Sequence, residues 1–389
     1  MNTVQHGILI LIRSALSGQA LPLPENFRIA EAEPLILEQQ VVGLVYEGAL
    51  LCGIPKTDPV MTRLFQRYCQ ITMFSNIQAK ALDAVFTAFE AKWINYLPVK
   101  GCIVKSLYPK PAMRIMGDAD VLIQMEQYDR IRPIMEELGF VEQAPHAHEL
   151  PWSSKALHLE LHRSLMPTHH IQEYQHFANV WDSAILTEGH RYDLSVEDSF
   201  LYLFVHYMKH YRAGGIGVRQ PIDLWVWQQA YPNMNMDILR TKLEELSLLA
   251  FFEYTQTMLR VWFDDQQPDE RSVFMTNYIF SSGCFGAKEQ VDASHGLLVA
   301  RQSGSISKGR SHQLRETVFP SLPVMCCRYP VLKRRPWLLP ILWPVRWVSA
   351  VLFRRNNIRN YRKMLSNASA ENIQSFAESL EYVGLDFHL

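Results

Sequence analysis

The chain has 389 residues, 48% hydrophobic and 20% charged, enough apolar material for two or three ordinary domains and too much for a disordered chain. A formal net charge of −1 excludes a general electrostatic affinity for nucleic acid, so no DNA partner is expected. The charge is uneven, because residues 328–363 hold ten basic side chains and no acidic one, while the remaining 28 basic and 39 acidic residues sum to −11; a basic segment on an acidic body implies a surface partner for that segment.

The N-terminus, "MNTVQHGILILIRSALSG", has no charged n-region and no small-residue cleavage site after its short apolar run, and reads as a helix rather than a signal peptide. The six cysteines form no CxxC pair and have no histidine at zinc spacing, so they read as reduced thiols of a cytoplasmic protein. Residues 1–92 are expected to be a helical region. Within it "VMTRLFQRYCQITMFSNIQAKALDAVFTAFEAKW" keeps apolar residues at three and four spacing without Pro or Gly, and predicts one long amphipathic helix.

From about residue 93 the pattern changes. "INYLPVKG" is a short strand ending at Gly101, "CIVKSLYP" a short helix stopped by Pro109 and Pro111, and "DADVLI" a second strand. "QYDRIRPIMEELGF" is a helix with Gly139 as its C′ residue, and "ALHLELHRS" alternates as a further strand. Strands alternating with helices predict a small α/β unit over 93–194. Helical periodicity returns over 195–282, with Ser195 as N-cap and Asp198 as an analogue of the capping box. Residues 283–389 open with a Gly- and Ser-rich stretch, 283–312, read as a loop or hinge, and continue into a basic, tryptophan-rich region.

The chemistry concentrates in "MRIMGDADVLIQM". Asp suits a strand poorly, so Asp118 and Asp120 are either a turn or a site. With period two they share a face, with Cβ atoms roughly 7 Å apart. Carboxylates so placed can bracket one or two Mg²⁺ ions, which prefer carboxylate and phosphate oxygens and in pairs serve in-line phosphoryl transfer. A third carboxylate is needed. "HLELH" puts His158, Glu160 and His162 on one face and Leu159 and Leu161 on the other, so leucines facing the core leave Glu160 on the open side. Two like charges on one strand face also predict that Asp→Asn leaves the empty protein folded or more stable.

"LPVKGCIVKSLYPKPAMRIMGDADVLI", the helix ending "LGF", "LHLELHRSL", "VEDSFLYLFVHYMKH" and "QPIDLWVW", in that order, resemble an uncharacterised bacterial nucleotidyltransferase family, a divergent branch of the DNA polymerase beta superfamily. The resemblance covers about residues 95–230 and returns weakly in "VFPSLPVMCCRYPVLKRRPWLLPILWPVRW". It implies an α+β fold, a small mixed-sheet nucleotidyltransferase core with helical N-terminal and C-terminal flanking domains. It also implies Asp118, Asp120 and Glu160 as catalytic metal ligands, and transfer of a nucleoside monophosphate from an NTP to an acceptor such as a sugar, peptide or protein. Lys100, Gly101 and Arg114 are the candidate nucleotide-binding residues. The wider superfamily places Ser or Gly after the glycine of the first strand-to-helix turn, and this chain has Cys102 there. Gly101 still allows close backbone approach, and Lys100 can serve as a point charge for phosphate. Arg114 either contacts phosphate or orients the carboxylates. His206 and His210 stand at metal-ligand spacing on a helix but, with no third ligand evident, read as packing or hydrogen-bonding residues, and Asp223 reads as a structural hydrogen-bonding group reaching toward that helix.

Two readings of the tail remain open. Trp337, Trp343 and Trp347 among flanking arginines suit a peripheral contact of residues 333–355 with the inner face of a membrane, or a hydrophobic strap packed on the body. Pro340, Pro344 and Arg346 argue against a span. The alternative to an enzyme is a catalytically inactive binding module of the same fold that docks at a membrane surface or partner.

Overall fold

A computed structural model describes residues 1–146, 148–284, 286–288, 290–294, 297, 318–353 and 369–385. The chain divides into two compact units, Met1–Met208 with Gly217–Cys284, and Lys209–Ile216 with Phe285–Leu389.

The first unit begins with helices α1 (Thr3–Ser17), α2 (Ile29–Glu38), α3 (Val42–Leu51) and α4 (Pro59–Ala91). The last is the long helix expected from the periodicity, 33 residues. Its start follows from local chemistry: the Asp58 side chain accepts hydrogen bonds from the Val60 and Met61 amides, and Pro59 fills a first-turn position that needs no N–H.

The mixed sheet comprises β1 (Tyr96–Val99), β2 (Asp118–Ile123), β3 (Val141–Glu142), β4 (Glu149–Ser153), β5 (His158–His162), β6 (Ile185–Glu188) and β7 (Arg191–Asp193), in the order β3-β4-β5-β2-β1-β7-β6. The pairs β2–β5 and β1–β7 are parallel and the others antiparallel. Helices α5 (Gly101–Val104) and α6 (Tyr128–Glu137) follow β1 and β2; Gly139, with φ 78°, takes the left-handed conformation after α6.

Period two decides which face is buried. Ala119, Val121 and Ile123 of β2, Leu150 and Trp152 of β4, and Leu159 and Leu161 of β5 form one apolar face, clustered with Val85 and Phe89 of α4 and Ile131, Ile134 and Met135 of α6. The register then forces Asp118, Asp120, Glu160 and His162 onto the opposite face.

The rest of this unit is helical: α7 (Ile171–His176), α8 (Val180–Ser183), α9 (Val196–Arg212, whose last turn lies in the second unit), α10 (Arg219–Ala230), α11 (Met236–Glu245), α12 (Leu249–Phe263) and α13 (Glu270–Ser282). Ser195 caps α9 as expected, its hydroxyl oxygen accepting from the Asp198 amide at 3.0 Å while its O–H donates to the Asp198 carboxylate at 2.9 Å.

In the second unit, residues 288, 290–294 and 297 are helical where a loop was expected, and 298–312 lie outside the described residues. Helices Leu322–Arg328, Leu339–Phe353 and Ala370–Tyr382 follow. The Trp343 indole N–H donates to the Pro320 carbonyl at 3.1 Å and that of Trp347 to the Val318 carbonyl at 2.7 Å, with the Phe319 ring edge-on to both. Trp337 is 68% exposed. No described helix is long and apolar enough to cross a membrane, and the described cysteines Cys52, Cys69, Cys102, Cys284 and Cys326 are free thiols.

Candidate functional site

The parallel register sets Asp118 beside His158 and Asp120 beside Glu160, and Val99 at the end of β1 lies opposite Asp120. The strand ends therefore bring the carboxylates next to the β1–α5 turn, where Lys100 and Gly101 sit. Asp118, at the first position of β2, is exposed; Asp120 is buried. Glu160 is half-buried on the open face, as the leucine alternation predicts.

Asp120 is the centre of the network. Its Oδ1 accepts from the Lys100 ammonium at 2.7 Å and lies 2.9 Å from His162 Nε2. Burial alone would raise its pKa, but Lys100 and His162 outweigh this and hold the carboxyl well below the usual range. The Lys100 side chain is 12% exposed, and Asp120 keeps its ammonium charged against the desolvation that would lower it. Its backbone has φ 50°, a left-handed conformation unusual for a side-chain-bearing residue and a form of strain that concentrates at functional sites. Its Nζ lies 6.0 Å from the centroid of the Tyr202 ring on α9, whose hydroxyl donates to the Leu165 carbonyl at 3.1 Å.

Glu160 behaves in the opposite way. Burial, then Asp118, Asp120 and Glu149, push its carboxyl up to about 8. Four carboxylates gather here and Lys100 neutralises one, so the donor set fits a hard divalent cation, which would counter the repulsion around Glu160. Asp120, Glu160 and His162 each offer one ligand atom, all within 4.8 Å of one another; His148, Glu149 and His162 form a second such group. Asp118 belongs to neither.

Arg114 is buried and ion-paired. Its Nη2 donates to Asp223 Oδ2 at 2.8 Å and its Nη1 to the Ile115 carbonyl at 3.0 Å. Asp223, on α10, thus reaches Arg114 and the Tyr108 hydroxyl (2.7 Å), not α9 as the sequence suggested. The guanidinium backs the turn so closely that a Cβ on Gly101 would stand 2.9 Å from Nη1. Cys102 follows, partly buried, its thiol pushed up to about 12 by burial and by Asp120, hence a neutral group. Helix α5 has four residues and continues only as a 3₁₀ turn (Lys105–Leu107), so its dipole contributes little; Lys100 is the main positive charge at the turn.

The sequence reading missed His162 as the partner of Asp120, although the HLELH alternation put it on the same face as Glu160. It missed His148 and Glu149 because β4 was not recognised. The Arg114–Asp223 pair spans 109 residues and leaves no local signal. For His206 and His210, metal-ligand spacing places them on α9 but in neither candidate ligand group.

A family profile described as an uncharacterised nucleotidyltransferase matches residues 27–264. No curated protein and no solved structure matches the chain.

Proposed function

The chain belongs to the uncharacterised nucleotidyltransferase family, and from that premise we propose that it transfers a nucleoside monophosphate from an NTP to an acceptor, releasing pyrophosphate. The observation that carries this reading is the pairing of Asp120 with Glu160 on adjacent parallel strands, with Asp118 on the same face and the Lys100–Gly101 turn alongside.

Asp118, Asp120 and Glu160 would hold Mg²⁺, one ion or two. When bound, such ions neutralise charge on the phosphates and on the attacking and leaving oxygens. The chain's own residues supply position. Lys100 is the phosphate-facing cation. In the free protein it and Asp120 neutralise each other, so turning the ammonium to a phosphate leaves Asp120 uncompensated unless a cation takes its place. Arg114, held by Asp223, positions the Gly101 turn, where the absence of a Cβ permits close approach of a phosphate. Glu160, on the open face beside Asp118 and Asp120, would accept the acceptor's proton once a bound cation holds it ionised. Positioning and charge supply most of the catalysis in phosphoryl transfer, so no separate nucleophile is required. For the tail, a peripheral membrane contact would rest on Trp337 with Arg334 and Arg335, since Trp343 and Trp347 are turned to backbone carbonyls of their own chain.

The reaction class is tested by the phosphate released. With Mg²⁺, each of the four NTPs and a pool of sugars, peptides and proteins as acceptors, pyrophosphate should appear for at least one NTP. Release of orthophosphate alone would point to a kinase or NTPase and against this reading.

A further inference from the structure

Beside the carboxylate face lies a group whose donors are mainly nitrogen. His148 and Glu149 stand where β4 begins and His162 where β5 ends, and the ladder pairs Glu149 with His162. His148 Nε2 is 3.9 Å from Glu149 Oε1, and the His148 and His162 ring centroids are 5.2 Å apart. Both imidazoles are buried, His162 completely.

The hydrogen bonding of His162 leaves one nitrogen over. Asp120 Oδ1 already accepts from the Lys100 ammonium, so it is an acceptor toward Nε2 as well, and Nε2 carries the proton. In the neutral ring Nδ1 then holds the lone pair. Nδ1 is buried and has no hydrogen-bond partner among the described residues. A buried polar atom without a partner is unfavourable. A carboxylate that grips the far nitrogen of an imidazole is also the arrangement that fixes a metal-ligating histidine in orientation and tautomer.

We infer that His148, Glu149 and His162 form a binding site for one borderline transition-metal ion, of the zinc or cobalt kind, separate from the oxygen-donor face of Asp118, Asp120 and Glu160. Two imidazoles and a carboxylate are the donor set such ions take, with a fourth position left for water or another ligand. Bonds of about 2.0–2.1 Å put tetrahedral ligand atoms about 3.3 Å apart; one ligand atom from each of the three residues already lies within 4.8 Å of the others, so side-chain rotation would have to close the remaining distance. Exposed His146, whose Nδ1 is 3.9 Å from Glu149 Oε2, is within reach as the fourth donor. The shared His162 would couple the two sites, since an ion on Nδ1 strengthens the Nε2–H donation to Asp120.

The test needs no nucleotide, so it stands or falls apart from the transferase reading. The full chain, stripped with a chelator, is titrated with Co²⁺ and followed by visible absorption, with circular dichroism as the folding control. One equivalent should bind with the spectrum of nitrogen ligation and be displaced by Zn²⁺. His148→Ala and the more conservative Glu149→Gln should each weaken binding tenfold or more, whereas Asp118→Asn should leave it within twofold. Absence of a Co²⁺ spectrum overturns the inference. So does undiminished affinity in both folded variants, or an equal loss in Asp118→Asn, which would put the ion on the carboxylate face.

Discussion

The two aspartates of the DxD motif have different physical fates. Asp118 is exposed at the strand entry, so Asp118→Asn should change stability by no more than ~0.5 kcal/mol. Asp120 is buried against the Lys100 ammonium. Breaking a buried pair from one side strands a charge at a cost of roughly 3–5 kcal/mol, and both Asp120→Asn and Lys100→Met should approach that loss in chemical denaturation. The sequence treated the aspartates as equals because period two shows only their shared face; which one meets a lysine depends on the β1–α5 turn. Arg114→Met should be comparably costly because it strands Asp223, and adding Asp223→Asn should recover part of the loss. Additive losses would show that the two do not act as a pair. Glu160 has the opposite sign. Its folded pKa, near 8, lies above the unfolded value, so its contribution is full below about pH 4.5 and disappears as pH rises through 8. Chelated protein should therefore lose stability over that range, and Glu160→Gln should flatten the slope. An unchanged slope in that variant would assign the pH dependence elsewhere.

At the scale of elements, the apolar alternation of β5 and of the first four residues of β2 was readable because one face of each strand packs on the core. That same alternation placed Glu160 correctly, since leucines facing α4 and α6 leave it no other face. The strands β3, β4, β6 and β7 were not readable: β3, β6 and β7 bury no face that would impose an apolar alternation, and "ELPWS" has no β-branched residue to mark it as a strand. With β4 unseen, His148 and Glu149 were unseen as well. In the tail, the Trp343 and Trp347 indole N–H groups each hold a backbone carbonyl. Trp343→Phe and Trp347→Phe should each cost about 1 kcal/mol, the usual net value of a hydrogen bond, read as faster limited proteolysis of the second unit. Equal proteolysis rates would mean these bonds do not hold the segment.

For the whole molecule, the separation of charge between the basic segment and the acidic remainder gives a testable surface property. Co-sedimentation with anionic liposomes at low salt should weaken as salt screens exposed charge, and Trp337→Ala should reduce it more than Trp343→Phe. No binding at low salt would remove the membrane from the account. Nucleotide binding at the carboxylate face is open to the most direct test. A ligand at a hundredfold excess over its Kd stabilises the fold by about 2.7 kcal/mol, which a melting curve resolves. The measurement is the melting temperature with Mg²⁺ and each of the four NTPs, for the wild type, Asp118→Asn and Glu160→Gln. An upward shift is expected with at least one NTP in the wild type, abolished by chelation and absent from both variants. No shift with any NTP, or a shift undiminished in both variants, would contradict nucleotide binding at that face.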